Sequence, residues 1–276
     1  MGCVEAASYS KLLGGFMRDY PFTSKSVDDV PCGQIQARLQ DEIQAQSFET
    51  LRRSARVQKI AADSVVWKDG MERPDIGILC EGYLRFQCNG ANGRRQIIAI
   101  AVPGDILGDR GRTRPDMSFE AATDAKICWF ERKVYDELLR SDPLLRRKHY
   151  INSMAQVDRL HWLTLMIGAL RADERIATWI LSGKFFMPWR AQGRAGGVLT
   201  LALNRRDVAD MLATTPETIC RTLKGFEKEG LIEMIDPVHV RVLDYAGLVT
   251  RAALKEAPES LADIMLPDCV LEPGAV

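Results

Sequence analysis

Histidine is nearly missing from this chain, with three in 276 residues, and the three are dispersed. No nucleophile–base pair, glycine-rich phosphate loop or carboxylate pair with an evident water or metal partner accompanies them, so neither an enzyme nor a metal site is expected. Net charge is missing too: 37 basic residues balance 37 acidic ones, and any nucleic-acid footprint must be local. No apolar run approaches the ~18 residues of a membrane span. The N-terminus lacks the basic-then-apolar order of a secretion signal, which predicts a cytoplasmic protein with no membrane partner. Met1-Gly2-Cys3 looks like an acylation start, but Ala6 stands where myristoylation prefers Ser or Thr. Seven scattered cysteines, an odd number, make no disulfide framework and are expected to serve mostly as small buried hydrophobes.

What is present is ample apolar content, 46%, in a chain long enough for two domains of ~100–200 residues each. Residues 1–44 have no clear period at first and are taken as an arm with a lead-in helix. From Val57 to Phe130 short β-type runs alternate with turns: "SVVW", "IGILCEGYLRFQC", "RQIIAIAV" and "AKICWF", split by Gly70, Gly90 and Pro103-Gly104-Asp105. This texture predicts a β-sandwich or roll over 45–141. "NGANG" between two of the runs is a hairpin turn, because Asn and Gly tolerate positive φ.

The period then changes. Asp142-Pro143 predicts a helix start, and no further Pro or Gly intervenes before Gly168. On a helix over 142–170, Tyr150, Ser153, Val157, Leu160, Thr164 and Ile167 form a seam at coiled-coil spacing, with Met154, Leu163 and Met166 beside it. A helix apolar on more than one flank must bury both. One side is expected on the β-domain and the seam against a twin helix in a homodimer; a wholly intramolecular core helix is the alternative.

A second domain follows over 171–255, opening on the amphipathic "ADERIATWIL", a loop "RAQGRAGG" and a strand "VLTLAL". In "NRRDVADMLATTPETICRTLKGFEKEGLI", Val208 and Leu212 give one short helix an apolar stripe, and Ile219, Leu223 and Phe226 do the same for a second. Only Ala213-Thr214-Thr215 separate them. Thr215 is a natural N-cap, with Pro216 behind it at the first helical position. That is a helix-turn-helix, whose second member enters the DNA major groove. The stripe turns Pro216, Glu217, Cys220, Arg221, Lys224 and Lys228 outward.

Arginine can bridge guanine O6 and N7, and glutamate can accept from cytosine N4, so Glu217, Cys220 and Arg221 are assigned to base edges. The bland alternative is a surface ion pair between Glu217 and Arg221. Arg205, Arg206, Thr214, Thr215 and Lys224 are assigned to the DNA backbone. "GLIEMIDPVHVRVL" reads as strand, Asp-Pro turn and strand, a wing. The fold expected is α+β: a β-roll, a long dimerisation helix and a C-terminal winged helix-turn-helix. Residues 256–276 are acidic, hold no Lys or Arg, and form a tail.

This order of parts resembles the Crp/Fnr family of bacterial transcription regulators over roughly residues 45–250. The helix-turn-helix stretch carries the likeness most specifically; "ADERIATWIL" matches the start of the family's DNA-binding domain, and Gly82, Gly104-Asp105 and Gly108 fall at its β-roll turns. Ala213 departs from the glycine common in the turn, implying a local backbone cost. The resemblance implies a cyclic-nucleotide-binding-like domain, a homodimer on pseudo-palindromic TTGA-like half-sites, activation of transcription, and RNA polymerase as a partner.

Cyclic-AMP binders in the family carry Gly-Glu and then Arg-Ser-Ala. Here "GDRGRTRPDMSFEAATD" has Asp109 after Gly108 and Ser118-Phe119-Glu120 in place of the arginine motif, which argues against a cyclic nucleotide. "SFEAATDAKIC" is similar to the Fnr/FixK branch, with Cys128 near the family's internal cluster cysteine. An iron–sulfur cluster of that kind needs closely spaced N-terminal cysteines, and this chain has only Cys3 and Cys32 there. Haem is the other alternative, through His149 or His161; a packed, hydrogen-bonded His161 beside Trp162 is the plainer reading. The expectation is no cofactor and dimerisation without an effector. Cys220, early on the reading helix beside Arg221, is in the environment that makes thiols redox-active, with a passive contact to sugar or a thymine methyl as the alternative.

Overall fold

The computed structural model describes residues 44–68, 75–108, 117–192 and 196–252. The arm and lead-in helix assigned to 1–44 fall outside these residues apart from Gln44, as do the arginines at 110, 112 and 114 and the 256–276 tail.

Helix α1 (Ala45–Ser54) leads into the β-roll. Its strands are β1 (Arg56–Ile60), β2 (Val65–Lys68), β3 (Ile76–Glu81), β4 (Leu84–Asn89), β5 (Arg95–Ala101), β6 (Ile106–Leu107), β7 (Met117–Ala121) and β8 (Ala125–Phe130). They form two antiparallel four-stranded sheets, in the orders β1-β8-β3-β6 and β2-β7-β4-β5. The long run "IGILCEGYLRFQC" is two strands, because Gly82 turns the chain at φ +81; a Cβ there would lie 2.1 Å from the Asp124 carbonyl oxygen. "NGANG" closes the β4–β5 hairpin as expected, with Gly90 N–H donating to the Arg94 carbonyl at 2.9 Å. Leu79, Leu84, Ala121 and Ile127, all fully buried, fill the space between the sheets.

Helix α2 (Arg132–Ser141), missed in the sequence because the strand run and the long helix overshadow it, buries Tyr135 beneath the roll. Helix α3 (Pro143–Ala169) is the long helix. Asp142 caps it, accepting from the N–H groups of Leu144 at 2.9 Å and Leu145 at 3.2 Å. One side of α3 packs inward through Leu145, Asn152, Ala155 and Met166. On the other, Tyr150, Val157, Leu160 and Thr164 are exposed, and Ser153 and Ile167 half-buried. The seam therefore lies uncovered in the single chain, with Tyr150 64% exposed, which is at odds with a wholly intramolecular core helix.

The C-terminal head comprises α4 (Ala172–Phe186), β9 (Trp189–Gln192), β10 (Gly196–Thr200), α5 (Arg205–Met211), α6 (Pro216–Lys228), β11 (Ile232–Met234), β12 (His239–Val242) and α7 (Tyr245–Arg251). Strand pairing is β11-β12-β10-β9, so the "RAQGRAGG" loop is shorter than read: its ends are strands paired with each other. The wing is as expected. Asp236 makes its turn by accepting from the backbone N–H groups of Val238 and His239, each at 2.8 Å. Among the described residues no helix is long and apolar enough to cross a membrane.

Candidate nucleic-acid interface

The reading helix is built from its buried side outward. Ile219, Leu223 and Phe226 of α6 are at most 3% exposed and pack with Val208 of α5 and Leu212 just after it, both fully buried. Burying each side chain of that size stabilises the unit by ~1.5–3 kcal/mol, which fixes the rotation of α6 about its axis. Thr215 caps the helix by accepting from the Thr218 N–H at 3.2 Å, and Pro216 follows. The turn before it has a cost. Ala213 sits at φ +51, the left-handed region that disfavours a Cβ.

With that side fixed, Glu217, Cys220, Arg221, Lys224 and Lys228 are exposed, and together with Pro216 and Gly225 they line one shallow concavity. The three residues assigned to bases are therefore brought together. Glu217 makes no ion pair with Arg221 in this state. Its own backbone N–H and the Thr215 hydroxyl hydrogen-bond the carboxylate and hold it below the usual carboxylate range. It is ionised at neutral pH and folded back on the helix N-terminus.

The backbone set is brought together only in part. Arg206 and Lys224 are exposed and Thr214 half-buried. Thr215 is exposed, but its hydroxyl is occupied by the cap and by Glu217. Arg205 departs from its assignment: its guanidinium folds onto the wing, donating to the Pro237 carbonyl at 3.2 Å and approaching the Met234 sulfur at 4.0 Å. One buried terminal nitrogen, Nη1, has no partner among the described residues. Burial lowers this guanidinium's pKa, offset in part by the negative charge that Cys220 carries as a thiolate. The sequence could not place Arg205 because the carbonyl that captures it lies 32 residues away.

The cofactor alternatives fare unequally. Cys128 is fully buried on β8 and disulfide-bonded, so it is not the passive hydrophobe expected of most of the cysteines; Cys3 and Cys32 lie outside the described residues. His149 meets the Tyr135 hydroxyl at 3.2 Å. His161 is not packed as expected: its side chain is 76% exposed, with Asp158 3.9 Å away. Among the described residues no group of three or more His, Cys, Asp or Glu is placed to hold a metal ion.

A cavity of about 530 Å³ opens between the roll and α3, with Trp67, Phe86, Phe119 and Trp129 in its walls. Its charged residues are Asp105 and Arg159, which bind each other, Arg159 Nη2 reaching both carboxylate oxygens at 2.6 Å. Burial pushes the Asp105 carboxyl up, against the pull of Arg159. Glu120 faces away into contacts with Arg85, Gln87 and Ser118. Among the described residues this cavity offers no unneutralised cation for a cyclic phosphate, so those residues do not fit a cyclic nucleotide.

One polar interface was not found from sequence. Arg85 and Arg95 of the roll grip the first helix of the head. No local signal marked it, since β4 carries Gln87 and Asn89 as well as Arg85.

Comparison with known proteins gives two domain matches, a cyclic nucleotide-binding domain over residues 57–142 and a Crp-like helix-turn-helix domain over 174–251. The chain is 35% identical over 175 residues to the transcriptional activatory protein AadR of Rhodopseudomonas palustris, spanning 60% of this chain and 68% of that one. It is 29% identical over 216 residues to the nitrogen fixation regulation protein FixK of Bradyrhizobium diazoefficiens, spanning 74% and 86%. Among solved structures, FixK2 from Bradyrhizobium japonicum shares the fold, with a TM-score of 0.64 at 22% identity over 73% of this chain and 99% of that one.

Proposed function

This chain belongs to the Crp/Fnr family of transcription regulators, on the Fnr/FixK side, and from that premise we propose that it is a homodimeric activator reading pseudo-palindromic DNA with TTGA-like half-sites. The observation that carries this reading is the α6 face, where Glu217, Cys220, Arg221 and Lys224 are solvent-exposed on a helix whose other side is locked in the core. Two such helices related by a two-fold axis reach successive major grooves about 34 Å apart.

The dimer forms through Tyr150, Ser153, Val157, Leu160, Thr164 and Ile167 of α3, a seam without charge, so no effector or resident cofactor is needed to assemble it. Arg221 reads guanine, Glu217 swings out to accept from cytosine, and Arg206, Thr214 and Lys224 hold phosphates. The bound dimer recruits RNA polymerase in the cytoplasm and performs no catalysis. Sedimentation of the ligand-free protein tests the assembly: a dimer at micromolar concentration is expected, and a monomer refutes it.

A second reading adds control by oxidation. Cys220 is a free, exposed thiol in the reading concavity, which it lines together with Arg221 and Lys224. Peroxide transfers one oxygen atom to the thiol, giving sulfenic acid and releasing water. Further oxidation places bulk and negative charge against the DNA backbone.

A further inference from the structure

The head is fastened to the roll by a buried ionic cluster. Asp207, the third residue of α5, is 1% exposed, and both its carboxylate oxygens are used. Oδ1 accepts from Arg95 Nη2 at 2.5 Å; Oδ2 accepts from Arg85 Nη1 at 2.9 Å and from Asn204 Nδ2 at 3.0 Å. One turn on, Asp210 accepts from Arg95 Nε at 2.7 Å. At the helix end, the Met211 carbonyl accepts from Gln96 Nε2 at 3.3 Å. Residues 207, 210 and 211 share one side of α5, and Val208 and Leu212 on another pack with α6.

The arginines are braced from behind. Arg85, whose side chain is 5% exposed, also donates to Asp63 at 2.7 Å and Glu120 at 3.1 Å. Burial works against its charge, but Asp63, Glu120 and Asp207 outweigh it and raise its pKa. Gln87 bridges Glu120 and Arg95. Fully buried Ile97 of β5 joins the apolar core of the head, and the Tyr83 hydroxyl donates to the Phe186 carbonyl at 2.8 Å.

A buried charge stripped of one partner is strongly unfavourable, so this interface has one seated register rather than a continuum of poses. We propose that Arg85 and Arg95 of the β4–β5 hairpin are positioning residues for DNA reading: by clamping Asp207 and Asp210 they hold α5, and through it α6, in the orientation that engages a two-fold DNA site. The clamp grips α5 on a side that leaves the α6 reading concavity open. This inference rests on the DNA-reading function above and adds what sets the orientation of the reading unit.

The test uses the full chain and a duplex of about three helical turns carrying the sequence that the wild-type protein enriches from a random pool. Arg95→Met is expected to weaken specific binding about tenfold, the effect of leaving one molecule in ten seated, while Arg95→Lys retains most of the affinity. Spin labels on the roll and the head are expected to give a narrow distance distribution in wild type and a broad one in Arg95→Met. Combining Arg95→Met with Asp210→Asn is expected to cost less than the two single losses added together, because the two residues form one contact. Should Arg95→Met fail to fold, Asp210→Asn alone, at a site 22% exposed, carries the same comparison. A folded variant with unchanged affinity and label distances overturns the clamp, and tighter binding overturns it by showing that the contact opposes reading. Failure of the wild type to enrich any sequence refutes the DNA-reading function instead.

Discussion

Replacing Arg221 with alanine separates reading a base from holding a phosphate. The side chain is exposed in the α6 concavity, so truncation should change folding stability by no more than about 0.5 kcal/mol. Its loss on DNA is larger. A bidentate arginine–guanine contact discriminates against the wrong base by ~1–3 kcal/mol, and a two-fold site contains two, giving ~2–6 kcal/mol in all. At 1.4 kcal/mol per decade, preference at one base pair in each half-site should fall roughly 5- to 150-fold. The assay is competitive binding at fixed salt across duplexes substituted singly at every position, for wild type and Arg221→Ala. Preference should flatten at one symmetric pair of positions and persist elsewhere. A uniform loss at all positions, with a salt slope shallower by about one per contact, refutes the assignment and makes Arg221 a phosphate contact. Lys224→Ala supplies the reference for that outcome.

Cys220→Ser should retain DNA binding and lose most of its sensitivity to peroxide; equal sensitivity in wild type and variant rules out the switch. Ala213→Gly relieves a left-handed residue whose strain is ~1–2 kcal/mol, less ~0.5–1 for glycine's extra freedom when unfolded, a net gain of ~0.75 kcal/mol, so the melting temperature should rise by about 1–3 °C; a lower value contradicts the strain. Asp142→Asn tests the α3 cap. Burial opposes the Asp142 charge, but hydrogen bonds from the Ser47 hydroxyl and the N–H groups of Leu145, Gln44 and Leu144 outweigh it and hold the carboxyl below its ordinary range. With the folded pKa depressed, the stabilisation is present above the unfolded value of about 4 and is lost as pH falls through the folded one. The variant should therefore be less stable by ~1–3 kcal/mol at pH 7, with the gap closing below pH ~4; a gap independent of pH refutes the role of the charge.

Local chemistry made the reading unit legible. The cap at Thr215, the proline behind it and the apolar spacing of Ile219, Leu223 and Phe226 all act within a few turns, so the sequence order alone specifies them. The seam on α3 was legible for the same reason, being one helix's own periodicity. The clamp was not. Arg85 and Asp207 are 122 positions apart and Arg95 and Asp210 are 115, and nothing local distinguishes an arginine destined for a buried carboxylate from one facing water. Arg205 shows the converse: placed by local logic on a phosphate, it is captured by the wing through Pro237. Helix α2 was legible in principle, since its ten residues carry a clear amphipathic period that buries Tyr135 on one face; it is easily passed over between a strand run and a 27-residue helix.

Charge balance over the whole chain hides how the field at the DNA face arises. Between Arg190 and Lys228 seven basic residues meet four acidic ones, a small excess for a polyanion to detect. Two of those four, Asp207 and Asp210, are ion-paired from outside the stretch by Arg85 and Arg95. A third, Glu227, accepts from the Met234 N–H at the wing. Glu217 is then the one acidic group of the stretch in the reading concavity, which it lines together with Arg221, Lys224 and Lys228. The roll thus acts electrostatically as well as mechanically on the head: its arginines pair the carboxylates of the first helix, which leaves Glu217 as the acidic group that shares the concavity with the reading cations. Removing Arg85 or Arg95 therefore returns negative charge to α5 as it frees the head, and both effects weaken binding in the same direction.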